Sequence, residues 1–288
     1  MANLKEIRNR ISSVSSTMQI TSAMKMVSAA KLKKAQDAIT AMRPYANKLT
    51  ELLQSLSATL DADSGSKFSM QREVNNVLIV AITSNRGLCG AFNSNIIKQV
   101  IKLKDEEYKN KNVSFVAIGK KANDAFKKSS RVIANKSSVY DDLTFDNVAE
   151  IAQMLMDKFV IGDFDKIELV YNKFKNAATQ EIMTEQFLPI VPVEGEGEAN
   201  TNVDYIFEPS KIEIVEALIP KALKTQLYKA IRDSFASEHG ARMTAMHKAT
   251  DNATELRDQL KLTYNKARQA AITNEILEIV GGAEALNN

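Results

Sequence analysis

Residues 4–60 read LKEIRNRISSVSSTMQITSAMKMVSAAKLKKAQDAITAMRPYANKLTELLQSLSATL, and this stretch decides the fold. Stepping alternately three and four residues from Leu4 reaches Ile7, Ile11, Val14, Met18, Thr21, Lys25, Ser28, Leu32, Ala35, Ile39, Met42, Ala46, Leu49, Leu53, Leu56 and Leu60 with no break in register. Only Thr21, Lys25 and Ser28 are not apolar. A seam of this kind, held for about eight heptads, specifies one strand of a coiled coil. At 1.5 Å per residue it makes a helix of roughly 85 Å, longer than the core of a single domain requires. Pro44 lies inside the run and predicts a kink or local break near Arg43-Pro44-Tyr45.

The three polar seam positions fall together. Beside them Ile20, Met24, Val27 and Lys31 follow a second stripe, flanked by Ala23, Met26 and Ala30. Simple irregularity of the seam is one reading. The other is that this stretch faces something besides its coiled-coil partner, because an apolar Met-rich patch on an exposed helix marks contact.

A matching helical signal occupies the other end of the chain, from Pro209 to about Ala285. Ala241, Ala245, Ala249, Ala253, Leu256, Leu260, Ala267 and Ala271 recur at helical spacing, and small side chains there permit two helices to approach closely. Pro209 suits a first helical turn, and Pro220 predicts a bend or a restart. Gly240 is tolerable in a helix at about 1 kcal/mol relative to Ala. If continuous, this helix is on the order of 110 Å long. Neither long helix carries a core of its own, so antiparallel pairing of the two is the economical arrangement.

Between the helices the periodicity changes. Asp61–Ser69 reads as a linker; Val77–Thr83, Val113–Ile118, Lys166–Tyr171 and Glu181–Ile190 read as strands. Helical stretches separate them at Phe92 to about Lys104, Lys120–Lys128 and Asn147–Phe159. Strand–helix alternation predicts βαβ units and a mainly parallel sheet. The acidic, glycine-containing segment Glu194–Asn200 reads as a loop. The expected fold is therefore α/β: a long antiparallel two-helix coiled coil (residues 1–60 and 209–286) with an inserted Rossmann-like domain (residues 70–204).

Composition narrows the function classes. Aromatic residues are 6% with no Trp, which favours helices packed through small and flexible side chains. The single Cys cannot form an internal disulfide. No apolar run approaches the roughly 20 residues needed to span a bilayer. Lys5, Glu6, Arg8 and Arg10 interrupt any signal-peptide pattern at the start. Residues 1–50 hold nine Lys/Arg against Glu6 and Asp37, so this end expects an acidic partner.

Several blocks then identify a family resemblance. Ile20-Thr-Ser-Ala-Met-Lys-Met-Val27, Ala30-Lys31-Leu32, Arg43-Pro44-Tyr45, Arg86-Gly-Leu-Cys-Gly90, Ala236-Ser-Glu-His-Gly-Ala-Arg-Met-Thr-Ala-Met246, Ala249-Thr-Asp-Asn252 and Tyr264–Ile276 together resemble the gamma subunits of ATP synthases, in one order from end to end. The resemblance implies a central stalk that turns inside a hexamer of alpha and beta subunits, its foot on the c-ring and beside epsilon, with the chemistry in beta. It implies hexamer contacts at Met24, Lys25, Met26, Arg242, Arg268, Gln269 and Thr273. Contacts to the c-ring and epsilon are implied at Tyr205, Phe207 and Glu208. It also implies attachment to the cytoplasmic face of a bacterial inner membrane through partners only, and neither a cofactor nor a catalytic residue in this chain. Two departures stand out: Ser22 replaces a Lys common in the family, and the cysteine pair of chloroplast relatives is missing, so Cys89 alone cannot serve that redox control.

Two other classes compete. An α/β nucleotide-binding enzyme with coiled-coil arms would use Arg86–Gly90, which follows a strand and precedes a helix. That turn is neither G-x-G-x-x-G nor a Walker sequence, and no Lys-Ser/Thr follows it. His239 and His247 are eight residues apart and do not share one helical face as metal ligands would, so no metal site is expected. A nucleic-acid-binding coiled coil would use the basic N-terminal segment but leaves the sheet domain unexplained, and no nucleic-acid partner is expected.

Overall fold

The computed structural model describes residues 4–57, 67–128, 130–190 and 211–286. Two long helices, α1 (Leu4–Ser57) and α5 (Lys211–Leu286), flank β1 (Asn76–Ile82), α2 (Phe92–Lys102), β2 (Asn112–Ile118), α3 (Lys120–Phe126), β3 (Arg131–Asn135), α4 (Phe145–Ile161), β4 (Lys166–Phe174) and β5 (Gln180–Leu188). The chain divides into two compact units, Met1–Ser28 with Met243–Asn288, and Ala29–Arg242.

In the first unit α1 and α5 lie side by side and antiparallel. Arg8 donates to the Tyr264 hydroxyl at 2.7 Å, and its guanidinium stands 5.6 Å above that ring. Further along, Thr254 donates to Met18 Sδ at 3.3 Å, and the Thr21 and Thr250 hydroxyls meet at 2.8 Å. Rising numbers on α1 thus meet falling numbers on α5. Every α1 seam position from Leu4 to Leu49 is buried or half-buried. On α5 the seam runs Met246, Thr250, Ala253, Arg257, Leu260, Tyr264, Ala267, Ala271, again in alternating steps of four and three. This corrects one expectation: Leu256 is off the seam and 48% exposed. Arg257 and Tyr264 take seam places because their long apolar bodies can be covered while their polar tips reach out.

In the second unit five strands order β3-β2-β1-β4-β5, parallel except for β5. β1 and β2 are buried on both faces, as their unbroken apolar runs require. On one face Leu78, Val80, Ile82, Val116 and Ile118 pack against α4 and against Ile219, Leu223, Leu227, Ala230 and Ile231 of α5. On the other, Val77, Ile79, Ala81, Phe115 and Ala117 meet Ile96 and Val100 of α2 and Ala122 and Phe126 of α3. The first part of α5 is therefore a layer of the α/β core.

Of the two proline expectations, the local break at Pro44 and the restart at Pro220 are not found. α1 continues through Pro44 and α5 through Pro220 with no break. Each proline removes one backbone hydrogen bond, and buried neighbours hold the adjoining turns: Ala46 and Leu49 in α1, Ile219 and Leu223 in α5. Across the pair, the Lys221 ammonium lies 6.0 Å from the Tyr45 ring. β3 is an addition; at five residues, with an exposed–intermediate burial pattern, it has little hydrophobic signal to read. Asp61–Ser66 and Glu194–Asn200 lie outside the described residues.

Gly119 ends β2 at φ 114°, where an added Cβ would sit 2.2 Å from the Thr83 carbonyl oxygen. Gly119→Ala is therefore expected to destabilise the chain by about 3 kcal/mol or more, read as a lower urea midpoint at unchanged m-value.

Candidate functional site

In open parallel sheets, ligands take the crevice at the carboxyl ends of the strands where strand order reverses. Here that point lies between β1 and β4, and α5 fills it. Ser237 donates to the Asn172 carbonyl at 3.0 Å, and the Asn172 amide donates in turn to the Phe92 carbonyl at 3.1 Å. Ala241 packs on Cys89 and Phe92. Gly240 lies so close to the strand-end loop that a Cβ would come within 3.1 Å of the Ala177 carbonyl oxygen. This explains a glycine in the middle of a helix better than tolerance does.

The loop after β1 is fastened to the same stretch of helix. Its Leu88 and Gly90 both have positive φ, 63° and 59°. Ser84 accepts Asn93 Nδ2 at 2.8 Å and donates to the Arg86 carbonyl at 2.6 Å. Arg242 then donates to the Arg86 and Gly87 carbonyls at 3.3 Å each, while its other nitrogen meets Glu238 at 2.6 Å. Both members of this pair are buried. Burial pushes the Glu238 carboxyl up, and the Arg242 charge and hydrogen bond oppose it. Burial also pushes the Cys89 thiol up, away from the thiolate a nucleophile needs. Arg86–Gly90 is a clamped turn.

His239 lies one residue from this pair and is 5% exposed, edge-on to Phe235 at 4.5 Å between centroids. Neither ring nitrogen has a hydrogen-bond partner among the described residues. Burial, then Arg242 and Lys31, push its pKa down to about 3. His247 is exposed and its Nδ1 lies 3.4 Å from Asp251. Among the described residues no group of three or more His, Cys, Asp or Glu could hold a metal ion.

The residues picked from sequence fall in three settings. Thr21 and Ser28 stay in the buried seam, Ser28 donating to the Met24 carbonyl at 2.8 Å, so the seam does not turn away there. Met24 and Lys25 are half-buried; the outward face is carried by Met26, 65% exposed, with Ile20 and Val27. Arg242, expected among the hexamer contacts, is buried in this chain, with Nη1 on Glu238 and Nη2 donating to the Arg86 and Gly87 carbonyls. Arg268, Gln269 and Thr273 are exposed, with the Thr273 hydroxyl donating to the Gln269 carbonyl at 2.9 Å. Tyr205, Phe207 and Glu208 lie outside the described residues.

Sequence reading missed the bare end of α5. Ile272, Ile276, Leu277, Ile279 and Val280 are all exposed. Arg8, near the start of α1, already pairs with Tyr264, so little of α1 remains to cover the turns of α5 beyond that point. The signal was available in apolar residues that make one broad face of the helix where no seam partner is left.

The family model described as ATP synthase matches residues 3–286. Similar proteins are the ATP synthase gamma chains of Flavobacterium psychrophilum, 76% identical over 99% of both chains, and Flavobacterium johnsoniae, 73% identical over the whole of both. The chain belongs to the ATP synthase gamma-chain family. Similar folds are the central stalk and c-ring structure of Tetrahymena thermophila mitochondrial ATP synthase (TM-score 0.59, 25% identity, 80% of this chain and 99% of that one) and the rotor of the Euglena gracilis enzyme (TM-score 0.64, 23% identity, 93% and 98%). No described helix of this gamma-chain family member is long and apolar enough to cross a membrane.

Two outcomes are expected of this cluster. Because the folded His239 pKa lies below the unfolded value, the unfolded chain takes up the proton first as pH falls. Stability is then lost at about 1.4 kcal/mol per unit from near pH 6.5 toward pH 3. His239→Leu should flatten that part of a urea-midpoint-against-pH curve. Arg242→Ala, which strands Glu238, should cost about 3 kcal/mol or more, and Arg242→Met with Glu238→Leu should cost less, both measured by urea unfolding at pH 7.

Proposed function

We propose that this chain is the central rotor shaft of a bacterial F-type ATP synthase. It turns with the membrane c-ring and drives the beta subunits of an alpha–beta hexamer through their binding states, in ATP synthesis or, reversed, in ATP-driven proton pumping. The observation that carries this is the end-to-end likeness to gamma chains, in a molecule whose exposed apolar surface is concentrated on its paired helices. The outward face of Ile20, Met26 and Val27, with Met24 and Lys25 at its edge, is one contact with the hexamer. Arg268, Gln269 and Thr273, beside the bare apolar end of α5, are another. Arg242 acts from inside, holding the Arg86–Gly87 turn against α5. Tyr205, Phe207 and Glu208 meet the c-ring and epsilon, and the assembly works on the cytoplasmic face of the inner membrane.

A shaft is a ligand whose contacts differ between the states of its partner, and only that difference shifts them. Each polar contact must also be broken every turn, which suits exposed groups worth about 0–1 kcal/mol apiece. The rival reading, nucleotide chemistry in the sheet domain, has its crevice occupied by Ser237, Gly240 and Ala241.

Co-expression with alpha and beta subunits should yield one complex whose ATPase activity is absent from this chain alone. A label on the shaft should turn as ATP is hydrolysed; nucleotide turnover by the isolated chain, or full turnover with the shaft cross-linked to beta, would contradict the proposal. Arg268→Ala with Gln269→Ala should lower the ATPase rate of the complex several-fold and leave the unfolding midpoint of the isolated chain unchanged.

A further inference from the structure

At the end of the sheet opposite the Arg242 clamp, the start of β2 and β3 and the end of α4 enclose a cleft of about 550 Å³, within the range of small-ligand sites. Parallel register sets Ser114 of β2 beside Arg131 of β3, so both side chains leave the same face of the sheet. Ser114 is only 4% exposed and lines the cleft, yet its hydroxyl is not among the buried polar atoms cut off without a partner, so it stays open to the cleft. A hydroxyl in the wall of a cleft can donate to an acceptor oxygen that enters it.

The charges around it are mainly positive. Lys111, Arg131 and Lys158 line the cleft, and Asp163 is its single carboxylate, held 3.1 Å from Lys158. Arg131 and Lys111 are exposed at the mouth of the cleft. The Asn112 amide donates to Asn76 Oδ1 at 3.1 Å, which leaves the Asn76 amide nitrogen facing the same space. The nearby end of α4 would ordinarily repel an anion. Its carbonyls are instead taken up: Lys158 O accepts from Asp163 N at 3.0 Å, and Phe159 O accepts from Gly162 N and Arg72 Nη1, both at 3.1 Å.

We propose that this cleft binds a phosphate group, of a free phosphorylated ligand or of a lipid headgroup. Arg131 and Lys111 neutralise its charge, and Ser114 and Asn76 donate to its oxygens. Donors on separate strands around one point suit a tetrahedral oxyanion with several acceptors better than a planar carboxylate. Ile133 and Phe164 line the apolar side of the cleft.

The test uses the purified full-length chain. Inorganic pyrophosphate is titrated by calorimetry, and co-sedimentation is measured with phosphatidylcholine vesicles with and without phosphatidylglycerol. Arg131→Gln and Ser114→Ala should each weaken binding by about tenfold, while Lys102→Gln, a surface lysine elsewhere, should leave it unchanged. Variant-sensitive pyrophosphate binding assigns the site to a soluble ligand, and variant-sensitive vesicle binding without it assigns the site to lipid. Should Ser114→Ala fail to fold, Arg131→Gln and Lys111→Gln, both at exposed positions, carry the comparison. The proposal is overturned if neither probe binds, if all variants bind alike, or if polyglutamate binds with the same variant sensitivity and pyrophosphate does not.

Discussion

The passage of α5 through the sheet domain constrains everything around it. From Ile219 to Ile231 the helix presents one side to the sheet; from Asp233 to Arg242 nearly every residue is buried except Phe235. A helix enclosed on all sides must be narrow, and Ser234, Ala236, Ser237, Gly240 and Ala241 make it so. Beyond Met246 only a single stripe is covered, as expected of a helix with one neighbour. The change along one unbroken helix is a change of surroundings, and side-chain size follows it.

The enclosed stretch is also where the polar side chains are hardest to satisfy. Glu238 and Arg242 answer one another, and Arg242 Nη2 donates to two loop carbonyls. A buried ion pair contributes little net stability against an apolar pair of the same size, but it is intolerant of misplacement. What it provides here is position: the strained turn containing Leu88 at φ 63° is tied to a defined point on α5. His239 has no such answer among the described residues, and its burial disfavours the protonated ring. An apolar enclosure would have been more stable and less specific about register.

The long helices were legible because their signal is periodic and strong. Seventeen seam positions in constant register outweigh one proline, and Pro44 and Pro220 passed through helix where a local rule alone predicts a break. The seam of α5 was read less well because it was sought among apolar residues, whereas Arg257 and Tyr264 bury their stems and rings and Leu256 does not. β1, β2 and β4 stood out as apolar runs, but β3, an edge strand with three half-buried positions, did not. The orientation of the residues proposed to meet partners was half legible. Met26 faces outward as expected, yet Lys25 lies half-buried on the seam and Arg242 is internal, since a sequence block marks where residues matter without saying which way they point.

Those misplacements sharpen the mechanical picture. Had Thr21, Lys25 and Ser28 turned away from α5, the coiled coil would have a gap at the level of its outward patch, and load there would bend α1 before turning it. Instead Thr21 and Ser28 are buried, and Thr21 meets Thr250 across the seam. The outward face of Ile20, Met26 and Val27 is thus backed by an intact pair of helices. A push on that face is taken by both helices together, and the small polar seam residues let their backbones lie close. A stiff support beneath a weakly gripping surface suits the transient contact proposed for this face.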